Sequence, residues 1–201
     1  MKSESAENKL FTIAESQQGY FTTRQAKTCG YKDNTHSYHT RSGDWIRVYR
    51  GIYRLAKFPH TERPDLMIWT LWSSNRKGKI EGIYSHQTAL AIHHLSDVMP
   101  HKLHMTIPLS FRRNSPTPPV LILHSNNLQK DEIMALDGYF VTTPFRTILD
   151  IIEDMSISHD LIIQAISNAY QNGLLTRAMI KRLLKEPTVQ NSPLYSYLRG
   201  L

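Results

Sequence analysis

Residues 19–57, GYFTTRQAKTCGYKDNTHSYHTRSGDWIRVYRGIYRLAK, decide how the N-terminal part of this chain is read. Gly19 stops whatever helix precedes it. Tyr20 and Phe21 make a short extended apolar step. Thr22 or Thr23 caps a short helix over Thr23–Cys29, which Gly30 ends. Asp33 or Asn34 caps a third helix running to Ser42, with Gly43 as its stop. Trp45–Tyr49 and Ile52–Leu55 are β-rich runs joined at Arg50-Gly51, the pattern of a hairpin. Upstream, residues 5–17 carry Leu10, Ile13 and Ala14 on one helical face behind the capping Ser5. Helix, short helix, turn, helix and hairpin is the element order of a winged helix-turn-helix. In that arrangement two helices and a hairpin brace a third helix that projects into the major groove of DNA.

Charge supports the same reading. The 201 residues carry a formal net charge of +7. Ten Lys/Arg against five Asp/Glu, a net of +5, fall in residues 1–57, and the remainder carries only +2. Excess positive charge concentrated in one quarter of a chain favours a polyanionic partner there.

Downstream, Pro59 and Pro64 flank a polar linker, so the expected division is residues 1–57 and 58–201. The second part alternates. A helix over Asp65–Ser73 holds Trp69 and Trp72 in its core face. A strand follows over Ile83–Ser85, a helix over His86–Leu95, and strands over Leu103–Ile107, Val120–His124 and Tyr139–Thr142. Helices over Pro144–Asp154, His159–Asn172 and Thr176–Lys185 come last, with a polar, fraying tail after Pro187. The expected fold class is α+β: an N-terminal winged helix-turn-helix followed by a mixed α/β C-terminal domain.

Absences bound the function. Cys29 is the only cysteine, which excludes an intrachain disulfide and a cysteine metal cluster. There is no run of about eighteen apolar residues for a membrane span. MKSESAENKLFTIAES lacks the apolar core of a signal peptide, so a cytoplasmic protein with no membrane partner is expected. Asp65, Glu81, Asp131, Glu132 and Asp150 are scattered and do not make a nuclease's paired carboxylates. A Walker A loop, a GxGxxG turn and the Gly-Ser turn of a nucleotidyltransferase are missing. His86, His93, His94, His101, His104 and His124 crowd into forty residues without an HExxH pattern, and are read as structural. Cys29 with His36 or His39 has the makings of a nucleophile and base, but is read as a small core cysteine. The expectation is no catalysis, no cofactor and no metal.

On the third helix Tyr38 is expected to pack inward, with Thr35 or His39 nearby. Asn34, His36, Ser37, Thr40 and Arg41 are then left to face DNA. Asn pairs bidentately with adenine and Arg with guanine, while Ser or Thr serves either. Arg47, Arg50 and Arg54 lie on the hairpin. Arg47 and Arg54 are placed on one side and Arg50 at the tip, against phosphate. The DNA-binding set is therefore Asn34, His36, Ser37, Thr40, Arg41, Arg47 and Arg50. Lesser basic patches are Arg112-Arg113 and the face of Arg177, Lys181 and Lys185, with Arg182 beside it. Arg146 and Asp150, four apart, form a helical ion pair.

Four stretches, in order, resemble the AbiEi-type antitoxins of bacterial type IV toxin–antitoxin systems. They are GYFTTRQAKTCGY (19–31), SGDWIRVYRGIYRL (42–55), YSHQTALAIHHLSDVMPHKLHMTIP (84–108) and VTTPFRTILDII (141–152). The resemblance implies a transcriptional autorepressor that binds double-stranded DNA at its own promoter. It also implies a functional partner toxin of the nucleotidyltransferase class, antagonised by the C-terminal domain. The chain departs from the family pattern at THSYHTRSG, where aliphatic residues usually precede the glycine. Two other classes compete: a nucleic-acid-processing enzyme such as a nuclease carrying a winged-helix targeting domain, and a protein-interaction module without DNA binding.

Overall fold

The computed structural model describes residues 5–201. Its contacts divide the chain into two compact units. Among the described residues one is formed by 5–82 with 135–139, the other by 83–134 with 140–201. The first therefore extends past the boundary expected at residue 57.

In the first unit, α1 (Ala6–Glu15) opens at Ser5, whose hydroxyl accepts the Asn8 amide at 3.1 Å. Leu10 and Ala14 supply its buried face. The helix ends at Glu15 with Ser16 as its C-cap, two residues short of the expected end, and Gly19, at φ +87°, turns the chain beyond it with its carbonyl accepting the Leu55 amide. β1 (Tyr20–Thr22) leads into α2 (Thr23–Thr28) through a reciprocal cap. Thr22 Oγ1 accepts the Gln25 amide, and Gln25 Oε1 accepts the Thr22 amide. α3 (Asp33–Arg41) starts from Lys32, which gives no side-chain cap. The expected caps, Asp33 and Asn34, instead occupy its first turn, where Asp33 still suits the positive end of the helix dipole. β2 (Trp45–Tyr49) and β3 (Ile52–Leu55) form the hairpin at the expected residues, with β1 on the other side of β3. All pairs in this sheet are antiparallel. Phe21, Trp45 and Tyr53 close over Leu10, Ala14, Ala26 and Cys29 to make the core. Cys29 is thus a buried packing residue, as read from the sequence. α4 (Pro64–Trp72) packs on β1 and β3, burying Leu66, Met67, Leu71 and Trp72, while Trp69 meets Tyr49 edge-on at 5.0 Å.

The second unit is built on a five-stranded sheet. Its strands are β4 (Ile83–Tyr84), β5 (Leu103–Ile107), β6 (Leu121–Ser125), β7 (Ile133–Leu136) and β8 (Tyr139–Thr142), in the order β6-β5-β4-β8-β7. β4 runs antiparallel to β5 and parallel to β8, while β5 and β6 are parallel. Every β5 residue is buried, as expected of an inner strand in a mixed sheet. α5 (His86–Ile92) and α6 (Pro144–Asp154) pack on one another. Proline at the first turn of α6 and the Thr143 cap start it at the expected residue. α7 (His159–Gln171) and α8 (Arg177–Leu183) complete the core. The tail expected to fray does not. It forms α9 (Pro187–Gln190) and α10 (Tyr195–Arg199), whose Val189, Leu194 and Leu198 are buried in the same core, so apolar burial fixes a segment that composition marked as polar. The architecture is α+β.

Candidate nucleic-acid interface

Which residues α3 presents is decided by the aromatic floor beneath it. His36 is buried, its ring 5.4 Å from Trp45 and 5.9 Å from Tyr53. His39 stacks on Trp45 at 4.6 Å. The slot between Trp45 and Tyr53 accepts an imidazole, so the inward positions are 36 and 39, with Thr35 partly covered. At about 3.6 residues per turn the opposite side then belongs to Asn34, Ser37, Tyr38 and Arg41. This corrects two placements. His36 is a core residue, with burial lowering its pKa so that the ring stays neutral. Tyr38 points out, 65% exposed. Asn34, Ser37, Thr40 and Arg41 are exposed as expected. The Thr40 hydroxyl donates back to the His36 carbonyl at 2.9 Å, leaving its methyl and lone pairs outermost.

The hairpin meets α3 along one open depression, lined by Thr23, Asp33, His36, Ser37, Thr40, Arg41, Arg47 and Tyr53. Arg47 pairs across the strands with Tyr53, while Arg54 pairs with Ile46 on the opposite face. Arg47 and Arg54 therefore do not share a side. Arg54 is buried and donates to the Phe58 carbonyl, which removes it from any surface role. Arg50 is exposed at the hairpin turn. Among the described residues Arg41, Arg47 and Arg50 form no ion pair, whereas Asp33, the one acid of the depression, is held by Lys27 at 2.5 Å. Asp44 beyond the end of α3 is kept ionised below the usual carboxylate range by hydrogen bonds from Ser42 and His39. Sequence reasoning missed Thr23 at the edge of the depression and Tyr38 on the outward strip. The alternation of the hairpin marks Tyr53 as the wall that selects His36.

A second cluster lies in the other unit. His86 opens α5 at φ +51°, a left-handed conformation that costs a non-glycine residue. Its Nδ1 lies 2.9 Å from Ser85 Oγ, which also accepts from Thr106 Oγ1 at 2.8 Å. The His86 ring stacks on His124 with centroids 3.5 Å apart, and His124 Nε2 lies 3.1 Å from His104 Nδ1. His104 and His124 meet because His104 is in register with Ile122 on the neighbouring strand, so His124, two residues on, shares its face. Burial pushes His86 down to about 3 and His104 to about 4, and lowers His124 as well. The three rings are therefore packed as neutral groups. His93 is set apart, donating from Nε2 to the Thr142 carbonyl at 2.7 Å, and His94 and His101 are exposed. Among the described residues no group of three or more His, Cys, Asp or Glu side chains is arranged to hold a metal ion.

Below the stack Arg146 binds Asp150 at 2.6 Å, the expected ion pair, and also reaches Glu153 at 2.9 Å and Glu132 at 3.6 Å. Burial pushes the Asp150 carboxyl up to about 7 against the pull of Arg146. Its Oδ2 has no hydrogen-bond partner and sits 3.9 Å from His86 Nδ1. Of the lesser basic patches, Arg112 is turned onto its own loop carbonyls and Arg177 donates to the Tyr170 hydroxyl. Arg182 lies over the Phe145 ring at 4.7 Å.

The candidate interface is thus an exposed polar strip on a short helix beside Arg47 and Arg50 of the hairpin. Residues 8–56 match the family model described as the transcriptional regulator, AbiEi antitoxin. This segment is similar to that family, and the match contains the first two of the four stretches that carry the resemblance. No curated protein matches the chain. Among solved structures, the crystal structure of the RV2827C protein from Mycobacterium tuberculosis aligns with a TM-score of 0.60 at 12% identity. That alignment covers 97% of this chain and 76% of the other, and it is a likeness of fold. Among the described residues no helix is long and apolar enough to cross a membrane.

Proposed function

We propose that residues 5–57 form a winged helix-turn-helix, with α3 as its recognition helix and the β2–β3 hairpin as its wing, and that the protein binds double-stranded DNA to repress its own promoter. The observation that carries this reading is the shared depression in which Ser37, Thr40 and Arg41 of α3 face Arg47 of the hairpin. One surface thus offers groups suited to base edges beside a cation suited to phosphate. Asn34, Ser37, Thr40 and Arg41 read bases, and Arg47 and Arg50 hold the backbone. His36 acts from beneath, setting the rotation of α3.

The family description matched by residues 8–56 supports an antitoxin role. We propose that it is exerted, without catalysis by this chain, on a nucleotidyltransferase-class toxin through the second unit, in the cytoplasm.

Binding-site selection tests the division of roles. Arg41→Ala relaxes preference at particular base pairs by about 1–3 kcal/mol. Arg50→Ala weakens all sequences alike. Identical selected profiles for the two variants would overturn the assignment of α3 as the reading helix.

A further inference from the structure

Tyr38 lies on the outward strip of α3, yet its chemistry differs from that of its neighbours. It is 65% exposed, on the opposite side of the strip from the depression that Ser37 and Arg41 line. Its ring meets the edge of His39 at 5.4 Å, and His39 is stacked on the buried Trp45. The phenol is thus braced from below by a column of rings that ends in the core, and it is held up beside Asn34 and Arg41. A flexible side chain placed only for solubility needs no such column.

Asn34 and Arg41 are equipped to pair with adenine and guanine edges. The side of a tyrosine ring has only C–H groups to offer a base. The major groove presents one apolar group at base edges, the C5-methyl of thymine, and aromatic side chains are among its partners. The phenolic hydroxyl, at the far end of the ring, is left to meet phosphate or water. We infer that Tyr38 is a specificity residue whose ring packs on a thymine methyl next to the base pairs read by Asn34 and Arg41. This rests on the reading of α3 as the groove-entering helix and adds to it the base class that the helix selects.

Thymine-to-uracil scanning tests it, because uracil lacks only the methyl. The full chain is used with a duplex enriched from a random pool, and each thymine is replaced singly while affinity is measured by fluorescence anisotropy. Burying one methyl-sized group gives about a fourfold effect. The expected result is about a fourfold loss at one thymine of the site for the wild type. Tyr38→Phe, which keeps the ring, retains that loss. Tyr38→Ala binds thymine and uracil equally there, while its responses at all other thymines match the wild type.

A wild-type scan flat at every thymine, or a Tyr38→Ala scan that keeps the full penalty, overturns the inference and leaves DNA binding by α3 standing. A Tyr38→Phe scan that matches Tyr38→Ala also overturns it, since the hydroxyl and not the ring would then be the contact. If the wild type enriches no duplex, the groove-reading function itself falls, and this inference with it.

Discussion

Adding one methyl at Gly19 should disturb the first unit more than most single substitutions. Gly19 sits at φ +87°, and a Cβ built there lies 2.5 Å from Phe58 Cγ and 2.7 Å from Phe58 Cβ. These are atoms near the root of the Phe58 side chain, which cannot swing aside as a flexible tip would. Phe58 is itself fixed, because its amide donates to the Leu55 carbonyl and its carbonyl accepts from Arg54. A left-handed conformation costs an L-residue about 1–2 kcal/mol. Forcing an extra methyl into packed surroundings costs about 1–3 kcal/mol. Restricting the unfolded chain returns about 0.4–1 kcal/mol. Gly19→Ala should therefore destabilise by roughly 2–4 kcal/mol.

Urea unfolding followed by tryptophan fluorescence is suited to this measurement, since Trp45, Trp69 and Trp72 all lie in the first unit. Phe58→Gly removes all of these atoms, where Phe58→Ala would keep the Cβ at 2.7 Å, and it leaves the backbone strain in place. The double variant should thus cost less than the two single costs together by about 1–3 kcal/mol. A Gly19→Ala protein within about 0.5 kcal/mol of wild type, or strict additivity in the cycle, would refute the reasoning.

The histidine stack makes the second unit sensitive to acid. His86 and His104 titrate near 3 and 4 when folded but near 6.5 when unfolded, so the unfolded chain takes up protons first. Their contribution is complete above pH 6.5 and is lost as pH falls towards 4. Asp150, raised to about 7, acts in the opposite direction and offsets roughly one histidine. The net loss is about 1 kcal/mol per pH unit over that window. Stability measured from pH 7 to 4.5 by circular dichroism checks it, and His86→Gln should flatten the slope; an unchanged slope contradicts the assignment. Because α4 packs on β1 and β3, we also expect a fragment 58–201 to expose Leu66, Met67, Leu71 and Trp72 and to aggregate, where one starting at residue 83 does not. Gel filtration of the two fragments decides this, and two equally monodisperse fragments would place the division at residue 57 after all.

Local signals made much of this fold legible. The hairpin bounds and the proline start of α6 depend on a few adjacent residues and stand where the sequence puts them, and of the two threonines offered as the cap of α2 the structure uses Thr22. The rotation of α3 does not depend on its own residues. DNTHSYHTR offers Tyr38 as the obvious inward group, and only the slot between Trp45 and Tyr53, made by another element, selects His36. The same holds for Arg54, whose side of the strand is set by a register shift between Arg47 and Tyr49. β7 went unread because Ile133–Leu136 is short and lies next to a polar turn. The His104–His124 pairing needs the parallel register of β5 and β6, which no local pattern announces. The buried positions of the tail, Val189, Leu194 and Leu198, are spaced too irregularly to read as one amphipathic face.

The central claim is that this is a DNA-binding regulator held to its site by the arginines around α3. Its most direct test is the affinity of the full chain for its upstream duplex as a function of salt. Arg47 and Arg50 amount to two phosphate-facing charges, which corresponds to about a tenfold loss of affinity between 50 and 200 mM salt. Arg50→Ala should make that dependence shallower by about one unit of slope on logarithmic axes. An affinity that changes by less than about threefold over the same range, or no measurable binding at the lowest salt, would contradict the account.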